Sequence, residues 1–397
     1  MSKSPPTSSS GRVPSPAPGD GEDRLLDLLD QWQEAFDQGR DIAVEKLCRD
    51  CPELAEEARR RIDVLRKMGK LAKLTMVSDG VGSNPTSHDL ANQPTNAEVS
   101  SAKSLLHLLK IFAPPKSSEE LGRLGDYAIL GLLGEGGMGA VFVAEDPLLK
   151  RRVALKVMRP EVAADAKARN RFLREAQSAA KLQNDHIVPI FQVGKEGTVL
   201  YITMPLLQGE TLEQRLRRGP ALTLLEIVKV GHEAAEGLAA AHAVNLIHRD
   251  IKPANLWLEY QQGADFRVKI LDFGLARPAM AAEELTGSGS FLGTPGFMSP
   301  EQIDSLSLDG RTDLFSLGCV LYRLATQKPA FHAATLTALL RATAEQQPPA
   351  PHTVNAAIPL AFSQLIMRLL EKKPASRYAS ARDLMAAFEI LMLLFRH

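Results

Sequence analysis

Three side chains of different chemistry stand within six positions of one another: a carboxylate, Asp250, a cation, Lys252, and an amide, Asn255. They belong to the stretch Leu-Ile-His-Arg-Asp-Ile-Lys-Pro-Ala-Asn-Leu-Trp, residues 246–257. A second carboxylate follows in Asp272-Phe273-Gly274. Upstream lie the run Gly134-Glu135-Gly136-Gly137-Met138-Gly139 and, after it, Val153-Ala154-Leu155-Lys156. Glycines remove side chains where backbone must approach a bulky group. A lysine inside an apolar strand is costly unless an anion pairs with it. Asn and Asp offer the hard oxygens that Mg2+ prefers. Phosphoryl transfer needs this combination: a cradle for a polyphosphate, a cation to hold it, metal ions, and a group that accepts a hydroxyl proton.

The elements that must position these residues follow from the pattern of apolar residues. From Tyr127 the chain alternates as strands do, on both sides of the glycines, so the glycine run is the turn of a hairpin. A dinucleotide fingerprint requires a helix straight after its glycines, and a P-loop requires Gly-Lys-Ser/Thr; neither is present. Residues 151–158 read as a third strand, 162–182 as a helix, and Ile187–Val193 and Val199–Met204 as further strands. After Gly209 helices dominate, at Leu212–Arg217, Leu224–Val244 and several places beyond residue 310. Strands first and helices second predict an α+β chain of two lobes with a cleft between them.

A His-Arg-Asp loop with Asn five residues after its Asp, followed by Asp-Phe-Gly and preceded by a glycine hairpin and Val-Ala-x-Lys, resembles the bacterial, eukaryotic-like Ser/Thr protein kinases. The resemblance covers about residues 127–390. It implies the two-lobed protein-kinase fold, with an N-lobe of antiparallel sheet plus one helix (127–204) and a hinge and helical C-lobe (205–397). It implies ATP and Mg2+ as cofactors and transfer of the γ-phosphate to Ser or Thr hydroxyls of protein substrates, with self-association for autophosphorylation in trans.

Carried over by position, Gly134, Glu135, Gly136, Gly137, Met138 and Gly139 would cover the phosphates, and Leu133, Val141 and Ala154 would wall the adenine. Lys156 would hold the phosphates, paired with Glu175 nineteen residues on. The hinge would offer the Pro205 carbonyl and the Leu207 N–H. Pro205 departs from the acidic residue often found there, but only its carbonyl is required. Trp257 would floor the adenine pocket or serve as core. Asp250 would be the catalytic base and Lys252 would neutralise the moving phosphoryl group, a lysine that marks Ser/Thr rather than Tyr specificity. Asn255 and Asp272 would hold the metals. In the activation segment, Asp272 to Glu301, the phosphosites would be Thr286 and Ser288, paired by Arg249, with Thr294 in the substrate loop. Ser299-Pro300-Glu301 departs by one small residue from Ala-Pro-Glu. Glu301 would pair with Arg377, and Asp313 would brace the catalytic loop.

Two rival readings share these motifs. One is a nucleotide-binding scaffold without turnover, which usually lacks one of Lys156, Glu175, Asp250, Lys252, Asn255 and Asp272; all are present. The other is a small-molecule phosphotransferase, which lacks the segment from Gly293-Thr294 to Glu301 found here.

Outside the resemblance, residues 1–22 are Ser, Pro and Gly rich and read as a disordered tail, with no apolar signal core. Residues 23–75 read as a small helical module, either a docking element or a cap, with Leu25, Leu29, Trp32 and Phe36 at helical spacing. Residues 76–126 read as a flexible linker with one helical island at Leu105–Phe112. Cys48 and Cys51 form a Cys-x-x-Cys: a redox pair or half a zinc site on one reading, two helix-face cysteines on the other. Three cysteines in 397 residues argue against a disulfide scaffold. Lys plus Arg equals Asp plus Glu, 47 each, which removes the electrostatic footprint of a nucleic-acid binder. No run approaches the length of a membrane span, so a soluble, cytoplasmic protein is expected. The apolar Ile390–Phe395 reads as the last turns of a packed helix or a contact for a partner or membrane.

Overall fold

The computed structural model describes residues 20–37, 40–63, 66, 112–117, 119–136, 139–261, 265–273, 295–304 and 306–395. The chain divides into two compact units, Met1–Gly131 and Leu132–His397.

In the first unit, helix α1 (Asp20–Asp37), helix α2 (Val44–Leu47), a 3-10 turn (Pro52–Leu54) and helix α3 (55–63) follow one another. Their apolar faces meet in a small core of Leu25, Leu28, Leu29, Trp32, Val44, Cys48, Cys51, Ala58 and Ile62. Trp32 is buried, and its indole N–H donates to Asp41 Oδ1 at 3.1 Å, which satisfies the ring's polar end. Arg66 in turn reaches Asp41 through two bonds of 2.7 and 2.8 Å. Cys48 and Cys51 are free thiols inside this core, and no metal-holding group of three His, Cys, Asp or Glu exists among the described residues. Both side chains are buried among the apolar residues of that core.

Farther along, Ala113 bridges Arg123, and strand β1 (Gly122–Leu124) pairs antiparallel with the start of β2 (Tyr127–Gly136). The sequence reading leaves this stretch to a linker. Three residues are too few for alternation to register, and the strand is secured by burial of Phe112 and Leu124. The tail reading of residues 1–19 and the linker reading of 67–111 lie outside the described residues.

The second unit opens with an antiparallel sheet. Strand β3 (Gly139–Asp146) pairs with β4 (Arg151–Met158), β4 with β6 (Val199–Pro205), and β6 with β5 (Gln192–Glu196). The helical stretch expected at 162–182 is two helices, α4 (Pro160–Ala164) and α5 (Ala166–Ala179). Asp165 separates them: its backbone is extended and its carboxylate caps α5, accepting the amides of Lys167 and Ala168. Phe172 and Ala176 of α5 pack with Met158, Leu200 and Ile202. The strand expected from Ile187 starts instead at Gln192; Ile187 makes only a single bridge, to Ile270, and Pro189 has no N–H to give a ladder.

Beyond β6 come β7 (Gly209–Thr211), α6 (Leu212–Arg218) and α7 (Leu224–His242). Strands β8 (Leu256–Tyr260) and β9 (Phe266–Ile270) complete a small sheet in the order β7-β8-β9. Then follow α8 (Pro300–Ile303), α9 (Arg311–Thr326), α10 (Leu336–Glu345), α11 (Pro351–Val354), α12 (Leu360–Leu369) and α13 (Ala381–Leu394). Helix α9 is buried over nearly its whole surface and is the axis of the large helical core. On α13, Leu384, Phe388 and Leu391 are buried, whereas Ile390, Leu393 and Leu394 are 61, 60 and 59% exposed. The apolar run at the end of the sequence is thus split between two faces. No described helix is long and apolar enough to cross a membrane.

Candidate active site

The loop between α7 and β8 closes a ring of polar contacts. Asn255 sits at the end of the 3-10 turn Pro253–Asn255, which turns its side chain back on the loop. Its Nδ2 donates to the Asp250 carbonyl at 2.8 Å and to Asp250 Oδ2 at 3.1 Å, and Lys252 Nζ lies 3.0 Å from the same oxygen. The spacing of carboxylate, cation and amide in the sequence is the spacing this turn requires.

The loop is held from below by Asp313 at the start of α9. Its Oδ1 accepts the Arg249 amide at 2.7 Å, and its Oδ2 accepts the His248 amide and His242 Nε2, each at 2.8 Å. Arg249 adopts the left-handed region, φ 64°, which a residue without glycine's freedom holds only when its surroundings fix it. Gln302 Nε2 donates to the Arg249 carbonyl at 2.9 Å and completes that fixing.

His248 ties the loop to the second carboxylate. Its Nδ1 accepts the Asp250 amide at 3.2 Å, so the proton sits on Nε2, which donates to the Leu271 carbonyl at 2.8 Å. The Leu271 amide bonds the Asn255 carbonyl at 2.9 Å, and the Phe273 ring lies 4.9 Å from the His248 ring. Residues 271–273 are therefore locked beside the loop, with Asp272 at φ 52°.

Lys156, on β4, reaches this group: Nζ is 2.7 Å from Asp272 Oδ1. Burial alone would push the Asp272 carboxyl up, but Lys156, with Lys252 nearby, outweighs it and holds it below the usual carboxylate range. The partner expected for Lys156, Glu175, is elsewhere. Glu175 on α5 lies 3.7 Å from Arg249 Nη1, and its Oε2 is buried without a hydrogen bond. Burial pushes its carboxyl up to about 7, against the pull of Arg249 and Arg171. The Lys156–Glu175 pair expected from the sequence is not the pairing seen here: Lys156 meets Asp272, and Glu175 faces Arg249.

The remaining nucleotide-site candidates line β2, β3, β4 and the exit of β6. A side chain at Gly139 would place Cβ 2.0 Å from the Val157 carbonyl oxygen, so only glycine lets β3 approach β4 there. Val141 stands opposite Lys156, Ala154 opposite Met204, and Val153 opposite Pro205. Leu133 is 49% exposed, Gly134 has open space around it, and Glu135 and Leu207 are half-buried. Trp257 donates its indole N–H to the Gln208 carbonyl at 3.2 Å, which anchors the ring to the segment after β6. Gly136 ends β2; Gly137, Met138, Thr286, Ser288 and Thr294 lie outside the described residues.

A magnesium nucleotide fits this donor set. The Asn255 amide nitrogen is committed to Asp250, which leaves its carbonyl oxygen, together with the Asp272 carboxylate, for a hard cation. Two protein ligands suit Mg2+, which takes its other oxygens from phosphates and water. Lys156 would supply the cation that phosphates require. The positions that sequence reasoning passed over are His242, His248 and Gln302. His248 was legible as part of His-Arg-Asp, but its role depends on Leu271; nothing local signals His242 or Gln302.

Residues 127–388 match the family model described as protein kinase domain. The chain is 38% identical over 270 residues to serine/threonine-protein kinase PknE of Mycobacterium bovis, covering 68% of this chain and 47% of that protein. It is 36% identical over 270 residues to serine/threonine-protein kinase Pkn1 of Myxococcus xanthus, covering 68% and 39%. The chain thus spans less than half the length of these relatives. Among solved structures, the Mycobacterium tuberculosis PknI kinase domain superposes with a TM-score of 0.55 at 28% identity, covering 67% of this chain and 96% of that one. With an antiparallel sheet leading into a helical lobe, and with these relatives, the chain belongs to the protein kinase domain family, in its bacterial, eukaryotic-like Ser/Thr branch.

Proposed function

We propose that this chain is a Ser/Thr protein kinase that transfers the γ-phosphate of Mg-ATP to protein hydroxyls. The observation that carries the reading is the ring of Asp250, Lys252 and Asn255, with Asp272 locked beside it and Lys156 on Asp272. In this reading Asp250 orients the substrate hydroxyl and accepts its proton. Lys252, 3.0 Å from Asp250, offsets charge on the transferring group. Asn255 and Asp272 hold Mg2+, which neutralises phosphate charge when bound. Lys156 and the glycine hairpin position the phosphates, and Trp257 with the segment from Pro205 to Leu207 takes the adenine. Thr286 and Ser288 are the proposed autophosphorylation sites, modified in trans between two copies, and Thr294 the substrate-loop contact. The sparse cysteines support action in a reducing, cytoplasmic setting.

Mass spectrometry of the chain after incubation with Mg-ATP, beside Asp250→Asn, tests this. Phosphate on Ser or Thr in the wild type alone is expected, with ATP binding retained by the variant. ATP binding without phosphate on the chain or on a panel of protein substrates would overturn it in favour of a scaffold.

A further inference from the structure

Two peptide units flank Asp250, and both are pinned. The one after it offers its carbonyl to Asn255 Nδ2 at 2.8 Å. The one before it joins Arg249 to Asp250 and is held at both ends. Its N–H donates to His248 Nδ1 at 3.2 Å, and its carbonyl accepts Gln302 Nε2 at 2.9 Å. Of these three holders only Gln302 comes from outside the stretch 246–257. Arg249 itself stands at φ 64°, so the backbone here is strained and needs its partners. Asp313 fixes the amide on one side of it, at 2.7 Å, and Gln302 the carbonyl on the other. The two ends of the Gln302 amide meet partners of opposite demand. The Ser299 backbone amide, which can only donate, meets Oε1 at 3.0 Å, as the N-terminal cap of α8; the Arg249 carbonyl, which can only accept, meets Nε2. A glutamate could serve the first partner and not the second. Ser299 is fully buried, and the neighbouring Glu301 is gripped by Arg377, so the backbone that carries this amide is anchored.

We propose that Gln302 is a positioning residue for phosphoryl transfer: by holding the Arg249 carbonyl it aims the Asp250 carboxylate at the substrate hydroxyl, a task separate from capping α8. The inference rests on the reading of Asp250 as the group that accepts the hydroxyl proton. Without the Gln302 donor, the Arg249–Asp250 peptide is held only through its N–H, and the carboxylate it carries loses its fixed direction. A small misplacement of a reacting group costs a large factor in rate. The side-chain hydrogen bonds of Gln302 go to Ser299 and Arg249, neither of them assigned to the nucleotide. Its loss should therefore fall on the maximal rate and leave nucleotide binding in place.

Gln302→Glu and Gln302→Met in the full chain test this. The first keeps the acceptor for Ser299 and removes the donor to Arg249; the second keeps the length and removes both. The initial rate of phosphate incorporation into the chain is followed against Mg-ATP concentration and expressed per chain that binds Mg-ADP in calorimetry, so that unfolded protein does not enter. Both variants should lose about tenfold in maximal rate, with half-saturating Mg-ATP and Mg-ADP affinity within about twofold of wild type. Either variant at the wild-type rate would overturn the role: Gln302→Glu because a helix cap alone was then needed, Gln302→Met because neither contact was. A loss of Mg-ADP affinity as large as the loss of rate would make Gln302 a structural residue and overturn it too. A wild-type chain that phosphorylates neither itself nor a panel of protein substrates would overturn the kinase reading and this role together.

Discussion

Arg377 grips Glu301 with both ends of its guanidinium, Nη1 to Oε1 at 2.7 Å and Nη2 to Oε2 at 2.8 Å, and the two side chains are almost wholly buried. The other guanidinium hydrogens go to the carbonyls of Glu371, Arg311 and Lys372, and Glu301 Oε1 also accepts the Thr312 hydroxyl. The pair joins the start of α8 to the 3-10 turn Pro374–Ser376 and so anchors the chain just after the segment that holds the proposed phosphosites.

Breaking this pair leaves one buried charge without its partner. Arg377→Ala should therefore cost about 3–5 kcal/mol in urea unfolding. Arg377→Lys should recover little, because an ammonium cannot reproduce the two-pronged contact. Burial would push the Glu301 carboxyl up, but Arg377 outweighs it and holds it below its ordinary value. Its contribution to stability is thus present above the ordinary carboxylate pKa and is lost as pH falls through the lowered one. An Arg377→Ala chain with unchanged urea midpoint would contradict the pair's importance.

Glu175 has the opposite sign. Burial raises its carboxyl to about 7, with Arg249 from the loop 246–257 and Arg171 from its own helix opposing. The folded state then holds a proton that the unfolded chain releases, so this group costs stability increasingly between pH 4.5 and about 7, and the full cost persists above. The shift corresponds to roughly 3 kcal/mol. Glu175→Gln should accordingly stabilise the chain at pH 8 and leave it nearly unchanged at pH 4. Equal effects at both pH values would show that Glu175 is not held near neutrality.

Two glycines of the hairpin should separate fold from binding. Gly139→Ala forces a Cβ to within 2.0 Å of a backbone oxygen on β4 and should cost about 1–3 kcal/mol of stability as well as Mg-ADP affinity. Gly134→Ala meets open space and should alter stability by less than about 0.5 kcal/mol. A weaker Mg-ADP affinity at unchanged stability in Gly134→Ala would mark backbone approach to the phosphates. Unchanged affinity would place the phosphates elsewhere.

The chain has two tryptophans, Trp32 and Trp257. Trp32→Phe leaves Trp257 as the sole indole, with its N–H fixed on Gln208. Emission from that variant should change on titration with Mg-ADP if the ring floors the adenine site. A saturable calorimetric signal with no change in emission would assign Trp257 to the core instead.

The loop 246–257 could be read from the sequence because its geometry is local. Asp250, Lys252 and Asn255 are close enough along the chain that one 3-10 turn brings them together, whatever the rest of the molecule does. The glycine hairpin was legible for the same reason, since strands on both sides of a turn need no distant partner to be recognised. Glu301 with Arg377 was visible only through resemblance, since the two lie far apart in the chain. What the tertiary structure alone decided was the choice among partners. Lys156 had an acid on α5 and another beyond the loop 246–257, and only packing settled that it meets Asp272. The break at Asp165, the short strand Gly122–Leu124 and the convergence of His242, His248 and Arg249 on Asp313 were decided in the same way. Residue type and spacing state what a side chain needs, whereas burial and the orientation of whole elements determine which of several competent neighbours supplies it.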